Sequence, residues 1–258
     1  MSGDADTLLV RRDGPVAIFT VNRPDKLNAL DSALFARLHA ALDDAENDPS
    51  VRVLVITGAG DKAFVAGADV AQLAALDTIG AYELMLLGQK AFLRIHEFPK
   101  PIIAMVNGYA LGGGFELALA CHLIAASENA TFGFPEIKLN TMPGWGGTQF
   151  AARKIGANRA MEMVLTGNYY AARTCWDFGF INRLVAPEAL YGATMELAGA
   201  LAANAAFALK VAKSAVQRGG EMELAAGMRF EAQAYAVNFS GAHAKAGFEA
   251  FLNRKRRS

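Results

Sequence analysis

Apolar positions alternate along most of the chain between short runs rich in β-branched residues and sets repeating at helical spacing. Thr7 to Arg12 and Val16 to Val21 flank Asp13-Gly14-Pro15, a group of turn formers, and predict two strands of a hairpin. Leu34, Phe35, Leu38, Ala41, Leu42 and Ala45 then recur on one helical face, with Asp31 or Ser32 as the N-cap and Pro49 as the stop. Val51 to Thr57 and Ile102 to Val106 are continuous apolar stretches of strand length, the pattern of strands buried on both faces. The second leads through Asn107-Gly108 into Gly112-Gly113-Gly114 and an apolar run from Phe115 to Cys121, read as strand, glycine loop and buried helix. Further short strands are predicted at Leu123 to Ala126, Thr131 to Phe134 and Ile181 to Val185. This alternation predicts an α/β fold with right-handed crossovers. From Glu188 onward the strand signal stops, and Ala-, Leu- and Met-containing segments predict helix to the end.

Composition narrows the function classes. The chain has 258 residues, 53% of them hydrophobic, enough for a substantial core. Lys plus Arg equals Asp plus Glu at 25 each, so no global field favours nucleic acid or an anionic membrane, and any anion has to be recognised locally. Arg254 to Arg257 is the one sustained charge run. Cys121 and Cys175 form neither a CxxC pair nor a zinc-like cluster, which suits a reducing cytoplasm and predicts no metal site. The first residues are acidic where a signal or transit peptide would be basic, and no apolar stretch has membrane-spanning length.

Three segments carry chemistry. A glycine triplet at a helix start admits close approach of a ligand to unpaired N–H groups at the positive end of the helix dipole, a setting for an oxyanion; it equally serves tight packing of helix on strand. GxGxxG fails at Leu117 when read from Gly112 and at Gln149 when read from Gly144, and neither GK[ST] nor GxSxG occurs. His39, His96, His122 and His243 show no ligand spacing. Glu116 lies about one turn inside the apolar helix that follows the triplet, where a carboxylate needs a use or a partner. Glu136 follows Phe134-Pro135 in a loop that leads to Pro143-Gly144-Trp145-Gly146-Gly147-Thr148-Gln149.

Asn22-Arg23-Pro24 with Leu27-Asn28-Ala29-Leu30, Ala66-Gly67-Ala68-Asp69, Asn107 to Glu116, Pro135-Glu136 through Gln149, and Gly247-Phe248-Glu249-Ala250-Phe251 together resemble the enoyl-CoA hydratase/isomerase (crotonase) superfamily over essentially the whole chain. The resemblance implies a spiral of ββα units over residues 1–190, holding the CoA and catalytic sites, and a helical oligomerisation region over 191–258 that forms trimers or dimers of trimers. It implies addition of water to a trans-2-enoyl-CoA without a cofactor. By the same resemblance Ala68 and Gly113 supply backbone N–H groups to the thioester oxygen, Glu116 acts as base and Glu136 as acid, and Gly144 turns its N–H to the water. Lys26, Leu27, Ala29, Lys62, Ala66 and Ala68 are expected along CoA, with Phe251, Arg254 and Lys255 reaching the CoA of a neighbouring subunit. Relatives that shift a double bond keep a carboxylate matching Glu136 and often lose the one matching Glu116. Isomerisation or another enolate-stabilised acyl-CoA reaction therefore stands as the alternative; an RNA-binding role lacks a basic stripe. Departures from the commonest pattern are His122 in place of an aspartate, Asn140 in place of a glycine, and aromatic bulk at Tyr169, Tyr170, Trp176 and Phe178.

Overall fold

The computed structural model describes residues 6–255, with the side chains of Ala242, Arg254 and Lys255 outside the described residues. The hairpin forms as β1 (Leu8–Asp13) and β2 (Val16–Val21), antiparallel from Leu8 opposite Val21 to Asp13 opposite Val16. Asp31 caps α1 (Ser32–Asn47) by accepting from the Leu34 amide, as the spacing of its apolar positions predicts. Three successive turns of chain then repeat one plan. The first contains β3 (Val53–Gly58), β4 (Ala63–Val65), α2 (Val70–Ala74) and α3 (Thr78–His96). The second contains β5 (Ile102–Val106), β6 (Tyr109–Leu111) and α4 (Gly113–Ala120). The third contains β7 (Leu123–Ser127), β8 (Thr131–Gly133), α5 (Gly147–Ile155) and α6 (Ala157–Thr166). Then follow β9 (Tyr169–Ala171), α7 (Ala172–Asp177), β10 (Arg183–Val185), α8 (Leu190–Ala202), α9 (Ala206–Gly219), α10 (Leu224–Phe239) and α11 (Ala242–Lys255).

Each turn places its first strand in one sheet and its second in another. The larger sheet has the order β1-β2-β3-β5-β7-β10, and the smaller has β4-β6-β8-β9. Parallel pairing of β3 with β5, β5 with β7, β4 with β6 and β6 with β8 stacks the turns into a spiral of ββα units. The continuous apolar runs have a direct cause in this arrangement, since successive side chains point to opposite faces and both faces are covered. Ala17, Phe19, Leu54, Ile56, Ile102 and Ala104 join the main core beneath α1, α3 and α4, whereas Val16, Ile18, Val53, Val55, Ile103 and Met105 meet Leu190 and Ala198 of α8.

The helical stretch after Glu188 is accordingly not uniform. α8 buries Leu190, Thr194 and Ala198 against the larger sheet, while α9 and α10 bury no residue. Val216, Leu224, Met228 and Tyr235 stand exposed on α9 and α10. Among the described residues no single helix is long and apolar enough to cross a membrane.

Two departures from the family pattern acquire reasons. Asn140 sits at φ +57° at the end of a short 3-10 turn (Pro135–Leu139), a left-handed position that asparagine tolerates better than most residues other than glycine. His122 is a half-buried structural link. Its Nδ1 accepts from the Ile102 amide at 2.9 Å, its Nε2 lies 3.0 Å from the His96 carbonyl, and burial lowers its pKa to about 3, so the ring stays neutral and donates from Nε2.

Candidate active site

The oxyanion donors expected at Ala68 and Gly113 come from two different sheet-to-helix transitions. Leu30 pairs with residue 68 in a parallel bridge, its amide donating to the Gly67 carbonyl at 2.9 Å and its carbonyl accepting from the Asp69 amide at 2.8 Å. In that pattern the residues flanking Ala68 carry the ladder bonds, so the N–H of Ala68 itself faces the other way. Arg23 holds the segment, pairing with Asp69 at 3.1 Å and Asp31 at 2.9 Å, and Lys26 adds a second contact to Asp69 at 2.9 Å. These hydrogen bonds from Lys26 and Arg23 lower the Asp69 carboxyl to about 2. Gly113 is the first residue of α4, where an amide N–H has no intrahelical acceptor.

Each glycine of the triplet has its own steric reason. A Cβ on Gly114 would lie 1.8 Å from the Val65 carbonyl oxygen, one on Gly113 2.4 Å from the Trp145 ring, and one on Gly112 2.7 Å from Glu136 Oε1. Bare backbone therefore seats α4 on β4, makes room for an indole, and brings the Glu136 carboxyl against the helix start.

Glu116 is 2% exposed. Its Oε1 accepts from the amides of Trp145 at 2.8 Å and Gly147 at 2.6 Å, so among the described residues backbone groups of the 144–147 segment, and no cation, stabilise it. Burial nevertheless raises its pKa to about 8, with the Glu136 charge adding to the rise. Glu136 is half-buried at the start of the 3-10 turn, raised by burial to about 7. Its Oε2 is buried without a hydrogen-bond partner. Two N–H donors favour the ionised form of Glu116 and the orphaned Oε2 of Glu136 has room for an O–H, while burial raises Glu116 slightly the further of the two, so the proton is held by the pair as one coupled system.

The first-loop residues gather beside Ala68. The Ala66 amide donates to the Leu27 carbonyl at 3.0 Å, Ala29 is buried, and Leu27 is exposed with φ +50°. Lys26 is exposed but occupied by Asp69; Lys62 is exposed at the foot of β4. Gly144 lies under α3, its carbonyl accepting from Gln89 Nε2 at 2.8 Å. Phe251 lies on α11, whose Phe248 packs against Phe239 of α10. The side chains of Arg254 and Lys255, expected at CoA, lie outside the described residues.

One residue of the site carried no signal of its own. Trp145, a single aromatic in a glycine run, turns its ring into the core beneath Gly113, edge-on to Phe35 at 5.0 Å and Phe92 at 6.0 Å between centroids. Its Nε1 donates to the Leu84 carbonyl at 3.3 Å.

Residues 11–258 match the sequence model of the enoyl-CoA hydratase/isomerase family. The chain belongs to that family. It is 36% identical over 253 residues to the short-chain-enoyl-CoA hydratase of Clostridium acetobutylicum, covering 98% of this chain and 97% of that one. It is 40% identical over 251 residues to a probable enoyl-CoA hydratase of Rhizobium meliloti, covering 97% and 96%. Among solved structures, an enoyl-CoA hydratase subunit of Geobacillus kaustophilus superposes with a TM-score of 0.91 at 43% identity, over 96% of this chain and 95% of that one. The enoyl-CoA hydratase of Bacillus anthracis gives 0.93 at 33%, over 96% and 97%. The ββα spiral is thus the fold that members of the enoyl-CoA hydratase/isomerase family share with this chain.

Proposed function

We propose that this chain is a hydro-lyase that adds water across the double bond of a trans-2-enoyl-CoA, giving a 3-hydroxyacyl-CoA. The observation that carries the proposal is the placing of two carboxyls with raised pKa values, Glu116 and Glu136, beside the Gly112–Gly113 turn, one anchored by backbone N–H groups and one with a buried free oxygen. The thioester oxygen accepts from the N–H groups of Ala68 and Gly113, which stabilise the negative charge that develops as the enolate forms; each such donor is worth roughly 3–4 kcal/mol. A water between the carboxyls, steered by the Gly144 N–H, gives one proton to ionised Glu116 while its oxygen bonds to C3. Protonated Glu136 then delivers its proton to C2 from the same face, a syn addition. The proton gained by Glu116 returns to Glu136 before the next turnover, restoring the pair. No cofactor enters this scheme. CoA lies along Lys26, Leu27, Ala29, Lys62 and Ala66, and Phe251, Arg254 and Lys255 reach the CoA of a neighbouring subunit in a trimer or dimer of trimers. The exposed apolar residues of α9 and α10 support that assembly. A cytoplasmic location is part of the proposal, supported by two buried, unpaired thiols.

Purified protein is expected to abolish the conjugated absorbance of crotonyl-CoA with formation of 3-hydroxybutanoyl-CoA. Glu136→Gln is expected to lower kcat by roughly 10²–10⁴-fold. Unchanged activity in that variant would refute the acid role; conversion of a 3-enoyl-CoA with no hydration of crotonyl-CoA would make the protein an isomerase.

A further inference from the structure

One face of α3 lies against the segment that holds Glu116. The Leu84 carbonyl accepts from Trp145 Nε1 at 3.3 Å, Met85 fills the space that a Cβ on Gly144 would need, Gly88 leaves room for the indole, and Gln89 Nε2 donates to the Gly144 carbonyl at 2.8 Å. Positions 84, 85, 88 and 89 share that face because they recur at helical spacing. The bond from Gln89 differs from the others in what lies behind it. The Gly144 carbonyl and the Trp145 N–H belong to one peptide unit, and in a trans peptide the two point in opposite directions. The carbonyl accepts from Gln89, and the N–H donates to Glu116 Oε1 at 2.8 Å. A peptide beside a glycine turns over at little steric cost, and a turned unit would present its oxygen to a buried carboxylate. The other donor to Glu116 needs no such hold. Its unit is fixed by α5, since the Gly146 carbonyl accepts from the Gln149 amide at 2.9 Å and the Phe150 amide at 2.8 Å.

We infer that Gln89 is a positioning residue for the base of the reaction: by holding the Gly144 carbonyl it keeps the Trp145 N–H aimed at Glu116. In its effect on turnover the inference rests on the hydratase reading. A donor on the carbonyl also polarises the peptide and strengthens the N–H on its far side. Both effects favour the ionised carboxylate, against the burial and the Glu136 charge that raise Glu116. Glu136 is the charged group that acts on Glu116 among the described residues, so the protonation of the pair reads out the loss of one donor.

The test uses Gln89→Met, which keeps the length of the side chain and removes the donor, and Gln89→Glu, which keeps its shape and, once ionised, offers a carbonyl only acceptors. Each is checked for a cooperative melt, and having two guards against one failing to fold. With crotonyl-CoA both are expected to lower kcat by about tenfold, inside the roughly 10²-fold that a misplaced group can cost, with KM within about twofold of wild type. The low-pH limb of kcat/KM, below which the base is protonated, is expected to move up by at least about half a pH unit, because a carboxylate that loses a donor holds its proton more tightly. Glu116→Gln supplies the control. In that background Gln89→Met is expected to lower the remaining turnover by less than about twofold, whereas a general structural role would cost the same factor in both backgrounds. A folded Gln89→Met with the kcat and low-pH limb of wild type would overturn the inference and leave the hydratase reading standing, and so would equal losses in the two backgrounds. Wild type that does not hydrate crotonyl-CoA sinks the hydratase reading, and the hold on Glu116 is then read from stability. The fall in melting temperature with rising pH, which the raised Glu116 produces, is expected to extend to higher pH in Gln89→Met, and an unchanged curve would overturn the inference.

Discussion

Glu116 and Glu136 are carboxyls whose folded pKa values, about 8 and about 7, lie above the ordinary value of 4.5. Between those limits the folded chain binds more protons than the unfolded one, so stability falls as pH rises from the ordinary carboxylate range to about 8 and then levels. Glu116→Gln, which keeps an oxygen for the Trp145 and Gly147 amides, is expected to flatten that decline in melting temperature while lowering kcat by roughly 10²–10⁴-fold. The same pair predicts a bell-shaped pH profile for kcat/KM, its limbs belonging to the pair as one coupled system. A profile flat across the neutral range would count against it. Both glutamates were legible in the sequence, Glu116 because a charge inside an apolar helix demands an explanation and Glu136 through the family resemblance. Trp145 was not. An indole among glycines says nothing until Gly88 is seen to leave room for it from a distant helix.

At the scale of elements, the long strands and α1 were legible because six-residue apolar runs and a capped helical face are strong signals. β4, β6 and β9 were not, since each is a three-residue strand set against glycines or turn and helix signals, with no large apolar residue at either end to extend its pattern. Yet the smaller sheet they form with β8 carries the site, because α4 and the 3-10 turn with Glu136 both start at its strand ends. The segment of Ala68, the proposed oxyanion donor, is held by another weakly signalled contact, the clamp of Arg23 and Lys26 on Asp69. Asp69 is depressed to about 2 from 3.8, so its contribution is complete above the ordinary carboxylate value and is lost as pH falls through about 2. Asp69→Asn is therefore expected to melt below wild type at neutral pH, with the gap narrowing in acid. It is also expected to lower kcat by about tenfold, equivalent to ~1.4 kcal/mol of oxyanion stabilisation, as the Ala68 segment loosens. Equal melting temperatures at neutral pH would show that the clamp is dispensable.

For the molecule as a whole, the sequence predicted a helical end but not its division of labour. α8 completes the core, because the larger sheet has a second apolar face to cover, whereas Leu224, Met228 and Tyr235 follow one another along a single exposed face of α10. Replacing Leu224 and Met228 together by Glu is expected to lower the mass measured by light scattering from that of an assembly to that of one chain. A wild type with the mass of one chain, or a variant with unchanged mass, would count against the proposed assembly through this face. The whole chain also contains only two tryptophans. Trp176 is on α7 and partly exposed, while the other is Trp145, with its amide on Glu116 and its ring against Gly113. The enzyme thus carries its own optical reporter. With Trp176→Phe, all remaining indole fluorescence comes from the ring against Gly113, and titration with butanoyl-CoA should quench or shift it saturably, so occupancy can be followed by light without a label or a turnover.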